Sequence, residues 1–464
     1  MRIQRILSAA ALFVMAGPTS ATTYHVAIGG NDANPGTLAQ PWATIQHAVD
    51  FPALAAGDTI LVHAGTFVGA RIERSGGPGM PIRLAAAPGE AVLIQGASPD
   101  AAHTSAIEIE NFSGTVSWWI IEGFEIDGEG DRRYAIDLRF TENITVRNNH
   151  VYGAFRTGIF TAFSDDVLIE NNLTHNNCEH GIYHSNSGDR PTIRGNSSST
   201  NGGAGIHMNA DISQGGDGII DDGLVEANWI INNGAGLPGC SCGTCAGGAG
   251  INMDGVRGTT VRNNVILDEH ASGIAIFRID GAICSQNNRI LHNTVIPSAS
   301  GRWGIVIADF ESPAVGCPNN TILNNILYCE HSFRGAIAVD ALSRPSLTSN
   351  GNVTEGWFST DAGDTRINLA AWQALGHDPN STLIADATAL DALFLDRAND
   401  DVDLSATSAA IDAGVVVPDV PNDFEGKPRP RGLGFDSGAY EVGEEIFSDG
   451  FESGNSGAWS ATVP

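Results

Sequence analysis

The chain has 464 residues, of which 56 are glycine, 42% are hydrophobic and only 17% are charged. Fifty-three acidic residues against 24 basic ones leave a net charge of -29, and Lys427 is the lone lysine. A surface without clustered cations excludes nucleic acid as a partner, and the composition disfavours long helices while favouring many short strands joined by turns.

At the N-terminus, Arg2 and Arg5 precede an apolar run from Ile6 to Ala16 and the small residues Thr19 and Ala21. This is the pattern of a secretory signal peptide over 1–21, cleaved after Ala21. The run is too short for a membrane span and no second candidate follows, so the mature chain is expected to be secreted, outside the cell or at its surface. In that compartment, seven cysteines imply disulfides with one thiol left over. Cys284 opens "CSQNN" and Cys317 opens "CPNN", so equivalent turns of consecutive repeats are expected to be bridged. The run "CSCGTC" (240–245) reads as a stapled surface loop or, alternatively, a metal holder. Cys178 and Cys329 have no assignment.

The repeat starts further along. Gly-Ile or a close variant recurs at 158, 181, 205, 250, 273 and 304, with gaps of 23, 24, 45, 23 and 31 residues. Between these lie "ITVRNN" (144–149), "VLIENN" (167–172), "PTIRGN" (191–196), "GLVEAN" (223–228), "TVRNN" (260–264) and "TILNN" (321–325). A period near 23 with short β-branched runs and Asn or Gly corners predicts an all-β parallel solenoid. Stacked asparagines can hydrogen-bond from coil to coil, so the Asn-Asn pairs are read as structural.

This Asn-rich pattern resembles the right-handed parallel β-helix proteins of the pectate-lyase-like superfamily. The start "YHVAIGGNDANPGTLAQPWATIQHAVD" (24–50) is similar to the N-terminal segment of exported bacterial members. The resemblance implies an initial strand and a short helix, about Trp42 to Val49, covering the open end. It also implies an N-terminal cap and first coils over 22–100, β-helix repeats over 101–345 and an irregular closing segment over 346–443. That closing segment contains "LAAWQALGHDPNS" (369–381) and "DFEGKPRPRGLGFDSGAYE" (423–441). Residues 444–464 read as an appended tail. The fold alone does not name a chemistry, since it hosts lyases, hydrolases, epimerases and adhesins.

With each repeat glycine set at zero, offsets 1 and 3 carry Ile159/Thr161, Ile182/His184, Ile206/Met208, Ile251/Met253, Ile274/Ile276 and Ile305/Ile307. These point inward, and His184 is expected to be a satisfied interior histidine. Offsets 2 and 4 point outward. Three consecutive coils there present Tyr183/Ser185, His207/Asn209 and Asn252/Asp254, whereas flanking coils present Phe160/Ala162, Ala275/Phe277 and Val306/Ala308. Neighbouring strands lie about 4.8 Å apart, so the six polar groups form a patch roughly 10 Å across. Two insertions, "DISQGGDGIIDDG" (211–223) and "GAGLPGCSCGTCAGG" (234–248), flank these strands and are expected to wall a groove.

Three functions fit a polysaccharide partner of a monomeric chain. A uronate lyase or C5 epimerase needs a base, an acid and a group that neutralises the carboxylate. Tyr183 and His207 are the proton-handling candidates, Asp254 the orienter of the imidazole, and Arg278 or Arg302 the clamp. His180, Ser185, Asn209 and Asn252 are candidate substrate contacts. Several lyases of the resembling fold use a lysine base, and Lys427 lies in the closing segment, which leaves His, Tyr or Arg chemistry. A glycoside hydrolase would instead pair two carboxylates drawn from Asp254, Asp211 and Asp280. A non-catalytic adhesin would rely on aromatic platforms among Trp118, Trp119, Trp229 and Trp303. Asp211, Asp217, Asp221 and Asp222 could hold Ca²⁺ through carboxylate oxygens, or form a solvated acidic turn; no organic cofactor is implied.

Overall fold

The computed structural model describes residues 21–97, 102–240, 247–311 and 315–443. Residues 1–20 of the expected signal peptide (1–21), the tail (444–464) and Cys242 and Cys245 lie outside the described residues. Three sheets of twelve strands each, parallel throughout except for the pair Trp357–Ser359 and Ile367–Asn368 that ends the second, stack into a β-helix. One coil visits the three in turn, as in Thr157–Ala162, Leu168–Glu170 and Leu173–His175, before Ile182–Ser185 begins the next. The strands are short because each coil must turn three times, and the Asn, Asp and Gly corners supply the left-handed backbone those turns need.

The second sheet carries the Gly-Ile repeats, and its register is the one the repeat predicts. Tyr183 sits opposite His207 and His207 opposite Asn252, while Ser185, Asn209 and Asp254 form the parallel row. Inward residues Ile159, Ile182, Ile206, Ile251, Ile274 and Ile305 are fully buried in one continuous core. Burying such a side chain is worth about 1.5–3 kcal/mol, and the solenoid repeats that gain at every coil. His184 is the polar interruption. It accepts from or donates to Thr161 Oγ1 at 2.6 Å through Nδ1 and meets Gly188 O at 2.8 Å through Nε2. Because a carbonyl only accepts, Nε2 carries the proton, and burial pushes the His184 pKa down to about 4.

The Asn-Asn pairs divide their work. The first member occupies the left-handed corner, with φ of 55° at Asn148, Asn171 and 54° at Asn263. The second turns inward and joins a ladder from Asn149 through Asn172, Asn196, Asn228, Asn264, Asn293 and Asn325 to Asn352, each amide donating to the next. A shorter ladder, Asn177 to Asn201 to Asn233, ends on the buried Glu269.

Both open ends are covered by aromatic residues. At the first, the helix Ile45–Asp50 is capped by Thr44, whose hydroxyl accepts from His47 N at 3.1 Å. It therefore begins three residues later than expected. Trp42 is fully buried there and stacks on Tyr24 at 4.9 Å. At the other end, the helix Leu369–Ala374 buries Trp372 against Phe358. The last segment then runs back along the solenoid. A fully buried Arg429–Glu441 ion pair (2.7 Å) and an Arg429 contact to Asn263 Oδ1 (3.3 Å) tie it to a coil far from its start.

Candidate functional site

The strands Ile182–Ser185, Ile206–Asn209 and Ile251–Asp254 bring the expected polar rows together on the outer face of the second sheet. Facing away from the core does not leave these rows exposed. Ser185 and Asp254 are 1% accessible, and Asn209 and Asn252 are buried, while Tyr183, His207 and His180 are half-buried. The long loops account for this. The first insertion folds across the lower row, where Asp211 bridges to Gly281 and Ile212 N donates to Asp280 O. The second is tied down by the Cys178–Cys240 disulfide. The expected Cys284–Cys317 bridge is present, and Cys329 is a buried free thiol.

Three rings define the centre. His207 stacks on His180 at 4.5 Å between centroids and tilts against Tyr183 at 4.6 Å. Phe160 and Tyr134 continue the aromatic row, at 5.3 Å and 4.2 Å from their neighbours. His180 Nδ1 accepts from Ala204 N at 2.9 Å, so its proton resides on Nε2. Burial pushes the His207 pKa down to about 4. His180 is driven well below the ordinary range by burial and then by the neighbouring His207. Tyr183 is pushed up, chiefly by burial and then by Tyr134. Near neutral pH the centre therefore holds neutral imidazoles beside a protonated phenol. Two atoms stay unused on one strand: His207 Nδ1 and Asn209 Oδ1 are buried without a hydrogen-bond partner among the described residues.

Asp254 does not orient the imidazole. Its carboxylate accepts from the backbone N–H groups of Ile279 (3.1 Å), Asp280 (2.9 Å) and Gly281 (3.1 Å), which makes it the anchor of that turn. Asp280 in turn accepts from Asn209 Nδ2 at 3.1 Å. With Asp254 so engaged and Asp211 accepting from Ser213 N at 2.8 Å, the three aspartates expected for a hydrolase hold turns in place. Arg278 is half-buried and paired with Asp309 at 3.1 Å, so its charge is already matched. Arg302 is exposed and lines a cleft of about 590 Å³ together with Asn252, Phe277, Trp303, Val306 and Arg334. That cleft begins one coil beyond His207, since Asn252 is the register partner of His207. Asn252 Oδ1 itself accepts from Ala249 N at 3.0 Å.

The acidic loop does not gather its four carboxylates. Asp221 is held by Arg257 through two bonds of 2.6 and 2.7 Å, and Asp217 accepts from Ile219 N at 3.0 Å. Asp222 and Asp217 lie near the same guanidinium, whose pKa all three acids raise, with Asp221 first. An arginine thus meets the charge that a Ca²⁺ ion could have met, and these residues do not fit an oxygen cage, which leaves the alternative of an acidic turn. Of the tryptophans, Trp119 donates to Arg74 O at 2.6 Å and is fully buried, and Trp229 packs against Phe424 of the returning segment. Lys427 pairs with Glu425, away from the three rings.

Several residues escaped the sequence reading. Arg334 joins Arg302 at the cleft. Further towards the N-terminus on the same outer face, Glu108 and Asp137 pair in register with each other and with Phe160. Their coils open with Ala106 and Ala135 instead of glycine, so a Gly-based repeat passes over them. The period-two alternation of "AIEIE" (106–110) and "AIDLR" (135–139) was the available signal.

A family model described as the Pel9A-like right-handed β-helix region matches residues 24–300. The uncharacterized protein YwoF of Bacillus subtilis (strain 168) is 27% identical over 337 residues, covering 66% of this chain and 68% of its own length. Among solved structures, the pectate lyase Pel9A superposes with a TM-score of 0.60 at 16% identity, over 92% of this chain and 97% of that one. XylC in complex with xylose superposes with a TM-score of 0.50 at 12% identity, over 74% and 76% of the two chains. At these identities the structural likeness establishes the fold.

Proposed function

The chain belongs to the Pel9A-like right-handed β-helix family, and from that premise we propose that it acts on a uronate-containing polysaccharide by removing the proton beside the uronate carboxylate. The outcome is β-elimination or C5 epimerisation. The observation that carries this reading is the pair of unused buried atoms, His207 Nδ1 and Asn209 Oδ1, beside the Tyr183 ring. An unpaired buried polar atom costs about 1–3 kcal/mol, a cost that a bound ligand removes. The shared fold with Pel9A, itself a pectate lyase, supports the substrate class.

In this reading His207, neutral above about pH 4, accepts the proton. Tyr183, kept protonated by burial, donates to the leaving oxygen or to the opposite face of the ring. Arg302 and Arg334 at the adjoining cleft bind a carboxylate of the glycan, and Phe277 and Val306 on its floor take the apolar side of a sugar ring. Arg278 and Asp254 hold the sheet edge and the turn. The disulfides Cys178–Cys240 and Cys284–Cys317 support export to an oxidising compartment.

The test is a set of uronate and neutral glycans followed by three readouts: absorbance of an unsaturated uronate, new reducing ends, and deuterium uptake from D₂O. Unsaturation with new ends identifies a lyase, and deuterium uptake without cleavage an epimerase. New reducing ends without unsaturation would replace this reading with hydrolysis, and binding without turnover would replace it with an adhesin.

A further inference from the structure

We propose that His103, Glu108 and Glu110 form a binding site for a first-row divalent cation, with Zn²⁺ as the ion to test first. The site lies on the outer face of the N-terminal coils, away from His207. One ligand atom from each of the three residues lies within 4.8 Å of the others. Glu108 and Glu110 are buried, at 0% and 1% accessibility, and His103 is half-buried, which gives an ion a way in.

The arrangement is held before any ion arrives. Glu108 accepts from the backbone N–H groups of Ala102 (3.0 Å) and His103 (3.1 Å), which fixes the loop carrying the imidazole over the sheet. Pre-oriented ligands are what a tight metal site needs. The decisive feature is the contact between His103 Nε2 and Glu110 Oε2. The two atoms are 2.9 Å apart, an ion-pair distance, and both are buried with no hydrogen bond of good geometry among the described residues. An imidazole nitrogen and a carboxylate oxygen held this close make an ion pair when the histidine is protonated, and the same two atoms can instead face one metal ion that takes the proton's place.

Charge points the same way. Glu108, Glu110 and the adjacent Asp137 are three buried carboxylates facing two guanidiniums. Arg139 is committed to Asp137 at 2.9 Å, and Arg71 is divided between Glu108 (3.4 Å) and the more exposed Glu73 (2.9 Å). Ser105 adds a hydrogen bond to Asp137 at 3.2 Å. Three buried carboxylates thus share two guanidiniums and the imidazole of His103 in a dry setting. One imidazole nitrogen with two carboxylates suits Zn²⁺ or a neighbouring transition metal, whereas Ca²⁺ prefers six to eight oxygens.

The experiment is calorimetric titration of Zn²⁺ into the whole protein after chelator treatment and dialysis, with thermal unfolding in parallel. One equivalent should bind and raise the unfolding temperature, and excess Ca²⁺ should not displace it. His103→Ala and Glu110→Gln should each weaken binding by at least about tenfold, by comparison with the 10–100-fold cost of losing even an outer-shell partner. His150→Ala should leave the titration unchanged. It removes one of the two imidazoles that meet at 2.6 Å on the third sheet, another place where an adventitious ion would collect. If Glu110→Gln does not fold, the half-buried His103 decides the matter alone. Absence of Zn²⁺ binding, or binding unaltered in His103→Ala, would overturn the proposal.

Discussion

Two buried polar regions run along the same solenoid and behave in opposite ways. In the asparagine ladder, Asn228 accepts from Asn196 N and Nδ2 and donates to Asn264 Oδ1 and Ile193 O, so its donors and acceptors are used by neighbouring coils. On the outer face of the second sheet, His207 and Asn209 are also set deep, yet each keeps an atom without a hydrogen-bond partner among the described residues. A polar stack that satisfies itself is a structural element, closed to ligands. One that leaves acceptors over has been arranged for something the protein itself does not supply.

The strongest way to break this comparison is to open the ladder. Asn228→Ala would leave Asn196 N and Nδ2 without their shared acceptor and Ile193 O without its side-chain donor, while Asn264 Oδ1 keeps the bond from Asn228 N. The expected cost is about 3 kcal/mol or more, read as a fall in the denaturation midpoint with activity per folded molecule retained. A loss within about 0.5 kcal/mol would mean that the ladder is not a self-contained structural element.

His207→Ala probes the other region. Turnover on the glycan identified by screening should fall about 10²–10⁴-fold, the usual value of a positioned proton acceptor. Stability should change little, because no hydrogen bond of Nδ1 is lost. A variant that unfolds but turns over normally would reverse the assignment of the two regions.

The protonation of His207 sharpens the same point. A base must be neutral, so kcat/KM should hold down to about pH 4 and then fall about tenfold per pH unit. The folded pKa lies below the unfolded value of about 6.5, so the unfolded chain takes up this proton first as pH drops. The stability that neutral His207 contributes is complete above about 6.5 and lost towards 4. Replacing His207 should therefore flatten stability over that window, while His184, also held down at about 4, keeps part of the slope.

How much of this could be read in the sequence follows from what each feature depends on. The pairing of Tyr183 with His207 and of Asn209 with Asp254 was legible, because the Gly-Ile anchor and the period-two alternation fix register locally. The Cys284–Cys317 bridge was legible for the same reason, since both open equivalent corners. Burial of the outer rows was not, because the loops that cover them lie up to 71 residues away, as Asn209 and Asp280 do. The cluster of His103, Glu108 and Glu110 was missed because its coils carry alanine where the repeat has glycine. The anchoring role of Asp254 depends on a turn that only the folded chain brings to it.

Asp254 gives the smallest and most discriminating effect. Read from spacing, it was expected to orient His207, and its loss would then cost turnover as heavily as loss of the histidine. In the fold it accepts three backbone N–H groups from 279–281 and is 1% accessible. Asp254→Asn would keep one acceptor oxygen and turn an NH₂ group towards donors, so the turn should loosen by about 1–2 kcal/mol. Asp280, released from that turn, would hold Asn209 less well, and KM should rise a fewfold while kcat stays within about tenfold of wild type. A kcat loss as large as that of His207→Ala would return Asp254 to the imidazole and remove the division between structural and chemical polar groups.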